Sequence, residues 1–251
     1  MVQRVNILGA PVDAVTITEA VARVGELLAR GGTHQVVTLN PEYLYRAQKE
    51  PDLLTIAREA SLVTADGVGI VWAASVCGYS LPERVTGIDL MLELSKRAAA
   101  EGWRVFLLGG KPGVAEDAAS RLTVHFPGLS VAGTYHGYFT AEEETAVLGK
   151  INAAEPHILF VGLGAPKQEE WIYNHNQLLN VPVAVGVGGS FDVLSGRVKR
   201  APAWMRRLGL EWLGRLIREP RRWRRMLVLP LFAFLVLRTR VKTTSGCGGV
   251  F

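Results

Sequence analysis

The sequence predicts an α/β protein with a Rossmann-like, open and mainly parallel sheet flanked by helices, followed by a basic helical appendage. Three observations predict it. Short β-rich apolar runs alternate with longer helix-like segments as far as Gly196. Several of those runs are apolar throughout, as parallel strands covered on both faces must be. Beyond Gly196 the strand signals stop and the chain turns rich in Arg and Trp.

Taken in order, the strand candidates are RVNILG (Arg4–Gly9), HQVVTL (His34–Leu39), SLVTA (Ser61–Ala65), WRVFLLG (Trp103–Gly109), LSVAGTY (Leu129–Tyr135), HILFVGLG (His157–Gly164) and VAVGVGG (Val183–Gly189). Helix candidates between them include Ile88–Glu101, Val114–Phe126, Ala141–Ala154 and Lys167–Leu179. In such a β-α-β-α order, ligands collect at the carboxyl ends of the strands. No internal repeat or low-complexity tract interrupts it.

The totals narrow the class. With 251 residues, 49% hydrophobic and 20% charged, the chain is ordinary globular protein with ample length for a core. Its two cysteines, Cys77 and Cys247, form neither a disulfide framework nor a CxxC site, so a reducing compartment is expected. The start, MVQRVNILGAPVDA, lacks a charged region followed by a long apolar core, so no signal peptide is expected.

The net charge of +5 is unevenly spread: Arg197–Lys242 carries 14 Lys/Arg against Glu211 and Glu219, a local +12 that leaves −7 elsewhere. A basic end on an acidic body points to a polyanion there: anionic lipid, nucleic acid or a phosphorylated substrate. Within it, Met226–Leu237 is an apolar run of twelve residues interrupted by Pro230. That is shorter than the roughly 20 residues that cross a bilayer, and arginine-rich flanks suit an interfacial position. A helix packed on the body with solvated arginines is the alternative. Arg218, Arg221, Arg222 and Arg225 recur at helical spacing, which would gather them on one side.

Four strand-to-helix junctions are unusually polar or glycine-rich: VVTLNPEYLY, LVTADGVGI, FVGLGAPKQEEWI and VGVGGSFDVLSGRVKRAP. Glycine there lets backbone N–H groups approach a ligand, and helix N-termini favour anions. Together they suggest a small molecule bearing phosphate, although each alone is explained by turn geometry. A fifth junction, LLGGKPGVAEDAA, reads G-G-x-x-G rather than G-x-G-x-x-G, which argues against a nicotinamide oxidoreductase; there is no P-loop either. The five histidines form no HExxH or close pair, and no two aspartates stand one apart, so no metal site is expected.

These junctions, in this order and spacing, resemble the WecG/TagA/CpsF family of bacterial glycosyltransferases. The matching text is VNILGAPVDAVT, TLNPEYLYRAQKEPDL, ADGVGIVW, ERVTGIDLM, FLLGGKPGVAE, GYF, ILFVGLGAPKQEEWI, GVGGSFDVLSGRVKRAP and GLEWLGRLIREPRRWRR, spanning Val5 to Arg225. The resemblance implies metal-independent, inverting transfer of an N-acetylmannosamine-type sugar from a UDP donor to a polyprenyl-pyrophosphate-linked sugar. No cofactor is implied.

It assigns Asp66 as the base, Thr38 as its partner in placing substrate, and Arg84 to the donor diphosphate. Asn40, Gly137, Tyr138, Gln168 and Asp192 would line the nucleotide-sugar pocket. Arg215, Arg222 and Arg225 would be brought over the site at the membrane. The implied division is a catalytic domain at 1–196, the appendage at 197–242 and an unstructured tail at 243–251. Expected partners are the UDP-sugar donor, the lipid-linked sugar acceptor and the inner face of the cytoplasmic membrane, with no nucleic acid; a homo-oligomer stays open.

Read from the residues alone, Asp66 could instead cap the helix starting near Val68. Arg84 could pair with Glu83, Asp192 could cap a helix after Gly188-Gly189, and Tyr138 could be core or stack on uracil. As a base, Asp66 would need burial to raise a carboxyl pKa that is ordinarily about 3.9.

Overall fold

The computed structural model describes residues 3–218 and 223–245. Alternate residues of its central strands serve opposite sides of the sheet, as the pleat requires. Leu107, Phe160, Val183 and Val185 pack into one core cluster, while Phe106, Leu108, Leu159, Val161 and Ala184 pack into another across the sheet. With both faces covered, these strands need apolar residues at every position.

The chain opens with β1 (Arg4–Ile7) and β2 (Ala10–Asp13), joined through Leu8 and Gly9 at φ 52° and 88°. Two successive positive φ values suit a tight hairpin, so the expected strand at 4–9 is shorter and belongs to a separate two-stranded antiparallel unit. Asp13 ion-pairs with Arg4 at 2.8 Å and accepts the Val63 N–H at 2.7 Å, tying that hairpin to the main sheet.

Next come α1 (Ile17–Leu28), β3 (His34–Leu39), α2 (Pro41–Ala47), α3 (Pro51–Glu59), β4 (Leu62–Ala65), α4 (Val68–Val76) and α5 (Gly87–Glu101). A capping box between Thr16 and Glu19 starts α1, and Asn40 with Pro41 starts α2. The second half carries β5 (Arg104–Gly109), α6 (Val114–His125), β6 (Ser130–Tyr135), α7 (Ala141–Ala153), β7 (Ile158–Gly162), α8 (Lys167–His175), β8 (Val183–Gly186) and α9 (Ser190–Leu194). The six strands of the main sheet run β4-β3-β8-β7-β5-β6, every pairing parallel. Because every pairing is parallel, all six carboxyl ends open on one rim.

After the sheet come α10 (Ala203–Arg207), α11 (Glu211–Arg218), α12 (Trp223–Met226) and α13 (Val228–Ser245). Pro230 lies in the first turn of α13, where its missing N–H costs nothing. Phe232 and Val236 of α13 are buried in the cluster that also holds residues of α2 and α4. This helix extends three residues into the stretch expected to be unstructured, and 246–251 lie outside the described residues, as do Arg221 and Arg222. Among the described residues, no helix is long and apolar enough to cross a membrane.

Candidate active site

A cleft of about 890 Å³ opens over the carboxyl rim of the sheet. Its lining comes from the loops after all six strands, together with Gly209, Glu211, Trp212, Met226 and Leu229 from beyond the sheet.

Asp66 follows β4, and its backbone N–H donates to the Leu39 carbonyl at 2.8 Å, which continues the β3–β4 pairing one residue further. That bond fixes where its side chain begins. The side chain turns toward α5: its Oδ2 accepts the Gly87 N–H at 3.3 Å. The N-terminus of this 15-residue helix is favourable for a carboxylate. Asp66 therefore does not cap α4. The N-cap there is Gly67, at φ 93° and without a side-chain capping bond, a conformation that favours glycine.

Thr38, on β3, is 3% exposed and donates its hydroxyl proton to the Gly186 carbonyl at 2.8 Å. The oxygen keeps lone pairs for another donor. Asn40 has a structural task as well, accepting the Tyr43 N–H at 2.9 Å as the cap of α2.

Arg84 lies in the loop before α5, with Nη2 at 3.8 Å from Glu211 Oε2 and 3.5 Å from the Arg206 carbonyl. Glu83 does not pair with it; its carboxylate accepts the Ile17 N–H at 2.8 Å. Glu211 also receives Arg200 Nε at 3.3 Å, and Arg200 reaches Asp89 at 2.6 Å. These four charges join the appendage to the first turn of α5.

On the far side, the Gly137 N–H donates to Gly110 and the Gly110 N–H to Gly162, at 2.8 and 3.2 Å, extending the β6-β5-β7 ladder into the rim. Tyr138 is 65% exposed at the cleft, which removes a core role. Gln168 is buried; its amide donates to Glu169 Oε1 at 2.7 Å and accepts the Gly188 N–H at 2.8 Å. Asp192 lies within α9, whose N-cap is Gly189, and lines the cleft without a capping role.

The sequence as a whole matches the Glycosyl transferase WecG/TagA/CpsF family over residues 5–246. The chain belongs to this family. Two similar proteins carry the name N-acetylglucosaminyldiphosphoundecaprenol N-acetyl-beta-D-mannosaminyltransferase. One, from Bacillus subtilis strain 168, is 39% identical over 203 residues, covering 81% of this chain and 78% of its own. The other, from Staphylococcus aureus strain MW2, is 36% identical over 241 residues, covering 95% and 94%. The nicotinamide-oxidoreductase alternative is thereby set aside.

Eight of the residues assigned in this glycosyltransferase by resemblance line one cleft: Thr38, Asn40, Asp66, Arg84, Gly137, Tyr138, Gln168 and Asp192. Arg215 falls on α11 and Arg225 on α12, helices whose neighbours Trp212 and Met226 reach that cleft; Arg222 lies outside the described residues. Four lining or supporting residues have no assigned role in the sequence: Lys111, Lys167, Glu211 and Glu169. The lysines sit in glycine-rich junctions, a usable signal. The partners of Glu211 are distant in sequence, and nothing in a nine-residue helix announces that Glu169 is buried.

Proposed function

We propose that this glycosyltransferase moves an N-acetylmannosamine-type sugar from a UDP donor to a polyprenyl-pyrophosphate-linked N-acetylglucosamine, in the synthesis of a bacterial surface polysaccharide. The transfer is inverting and needs no metal. The names of both relatives support the sugar and the lipid-linked acceptor. The observation that carries the chemistry is Asp66, at the rim of a cleft large enough for a nucleotide sugar whose lining also holds Arg84, Lys111 and Lys167, cations that can meet a diphosphate.

Asp66 takes the proton from the acceptor hydroxyl as that oxygen attacks the anomeric carbon. Thr38, its own proton committed to Gly186, offers lone pairs to a substrate hydroxyl. Charge builds on the departing UDP, where Arg84, Lys111 and Lys167 with the glycine-loop N–H groups stabilise it. Tyr138 provides an open ring for the uracil.

The same reading makes residues 1–196 the catalytic body and 197–242 a part that works at the inner face of the cytoplasmic membrane. Trp204, Leu208, Ile217, Trp223 and Phe234 are large exposed apolar side chains in that basic stretch, the pairing that binds anionic lipid surfaces. The test is incubation with a panel of UDP-sugars and lipid-linked N-acetylglucosamine, with products identified by mass. UDP-N-acetylmannosamine should give the mass of one added sugar. Transfer from none of the panel, or transfer only with an added divalent cation, overturns the reading.

A further inference from the structure

We propose that Glu169 is a positioning residue of this site: a carboxylic acid kept neutral beneath the cleft, which orients the Gln168 amide and, on losing its proton, weakens the hold on the donor.

Glu169 has 0% exposure, and its two oxygens are treated differently. Oε1 accepts the Gln168 amide at 2.7 Å, while Oε2 has no hydrogen-bond partner. Among the described residues no Lys, Arg or His forms an ion pair with it. A buried carboxylate in that condition is costly, so the group keeps its proton instead. Burial is the main cause, and it pushes the carboxyl up to about 8; the hydrogen bonds from Gln168 and from its own backbone pull the other way, and the charges of Glu170 and Asp66 push further up. Besides Glu170 on its own helix and Asp66 after β4, Tyr43 of α2 is a titratable group that faces it among the described residues. The Tyr43 hydroxyl donates to Leu53 at 2.7 Å and is itself raised by burial, so it stays protonated.

The surroundings hold Glu169 rigidly. Gln35 of β3 donates to its backbone carbonyl at 3.0 Å. Gly186 of β8 lies so close that an added Cβ would stand 2.7 Å from the Gln168 amide nitrogen and 3.0 Å from Glu169 Oε1. Gln168 then passes the constraint on. Its carbonyl faces the Gly188 N–H, so its nitrogen faces Glu169, and only that amide orientation satisfies both neighbours. Gly188 opens the loop that leads to Asp192. Ionised Glu169 adds a negative charge below a crevice that already holds Asp66 and, on the transferase reading used here, receives a diphosphate. Repulsion then falls on the donor.

The test compares the full-length wild type with Glu169→Gln, which is isosteric and permanently neutral, and with Glu169→Ala. Thermal stability without ligand and UDP affinity are measured across about pH 5.5 to pH 9.5. The native carboxyl is raised, so the native state holds a proton that the unfolded chain releases. The wild type should lose stability relative to Glu169→Gln from about pH 5 up to pH 8 and run parallel above. Wild-type UDP affinity should drop by about fivefold or more across pH 8, with Glu169→Gln flat over that range. At neutral pH, Glu169→Ala should lose about tenfold or more in kcat/KM, and Glu169→Gln should recover most of it. Should the alanine variant fail to fold, the comparison of glutamine with wild type decides.

Parallel stability curves, or UDP affinities that fall together with pH, overturn the role of Glu169 and leave the transferase reading standing. Diverging stability curves without UDP binding by any of the proteins overturn the transferase reading, and the role of Glu169 in donor binding falls with it.

Discussion

Asp66 has one oxygen engaged with the Gly87 N–H, a contact that orients it without consuming its capacity to take a proton. Asp66→Asn keeps a side chain of the same shape and an acceptor oxygen for that N–H, but no longer a base. Turnover on the lipid-linked acceptor should fall about 100-fold or more while UDP affinity stays within a few-fold; steady-state kinetics and calorimetry separate the two, and near-normal turnover would remove Asp66 from the base role. Thr38 divides its work differently, since its proton serves the Gly186 carbonyl. Thr38→Val leaves that buried carbonyl unpaired and should cost about 1–3 kcal/mol in urea unfolding, whereas Thr38→Ser should cost far less. The motifs made legible that Asp66 and Thr38 meet at one cleft. They did not make legible that one faces a helix terminus and the other a strand carbonyl, because both partners come from segments distant in sequence.

At the scale of elements, the strands are readable because coverage on both faces demands largely apolar residues; the runs at 105–109 and 158–162 meet that demand without a break, and 34–39 meets it around Val36, Val37 and Leu39. Of the hairpin at 4–13, the first strand alone is legible in the sequence. Its turn uses Leu8 at positive φ, where the sequence gives no Asn or Asp to mark it, and its second strand contains Pro11. Glu211 is equally opaque in the sequence, one acid among arginines, although it joins Arg84 to Arg200. Each of those partly buried pairs contributes on the order of 0.5–1 kcal/mol. Glu211→Gln should therefore speed tryptic cleavage after Arg206 and Arg207, with less effect at high salt, while the melting of the body stays nearly fixed. Unchanged cleavage would show that the ion pairs do not hold α11. Phe232, 2% exposed, anchors α13 on the body. Phe232→Ala should cost about 3–5 kcal/mol of that docking, read as faster hydrogen exchange over 228–245 with the sheet still protected.

Across the whole molecule, the charge asymmetry in composition has a spatial counterpart: the basic stretch also supplies Glu211, Trp212, Met226 and Leu229 to the cleft. Removing everything after Gly196 should leave a folded α/β body by circular dichroism, with transfer abolished and UDP binding weakened. It should also bare the surfaces of α2 and α4 that cover Phe232 and Val236, so the truncated protein should bind an apolar dye more strongly. Unchanged turnover on the lipid-linked acceptor would detach the appendage from catalysis. The sequence announced a basic segment beside an apolar run, yet it left open whether that run faces lipid or protein. In the structure one side of it packs on protein, since Phe232 and Val236 turn inward, while Leu231, Phe234 and Leu237 stay exposed.

The seat of α13 has a mechanical consequence. Of the two helices beneath it, α2 starts directly after Asn40 and α4 after Asp66 and its N-cap Gly67. A displacement of the last helix would therefore be transmitted to the first turns of both, a lever whose short arm ends at two residues of the cleft.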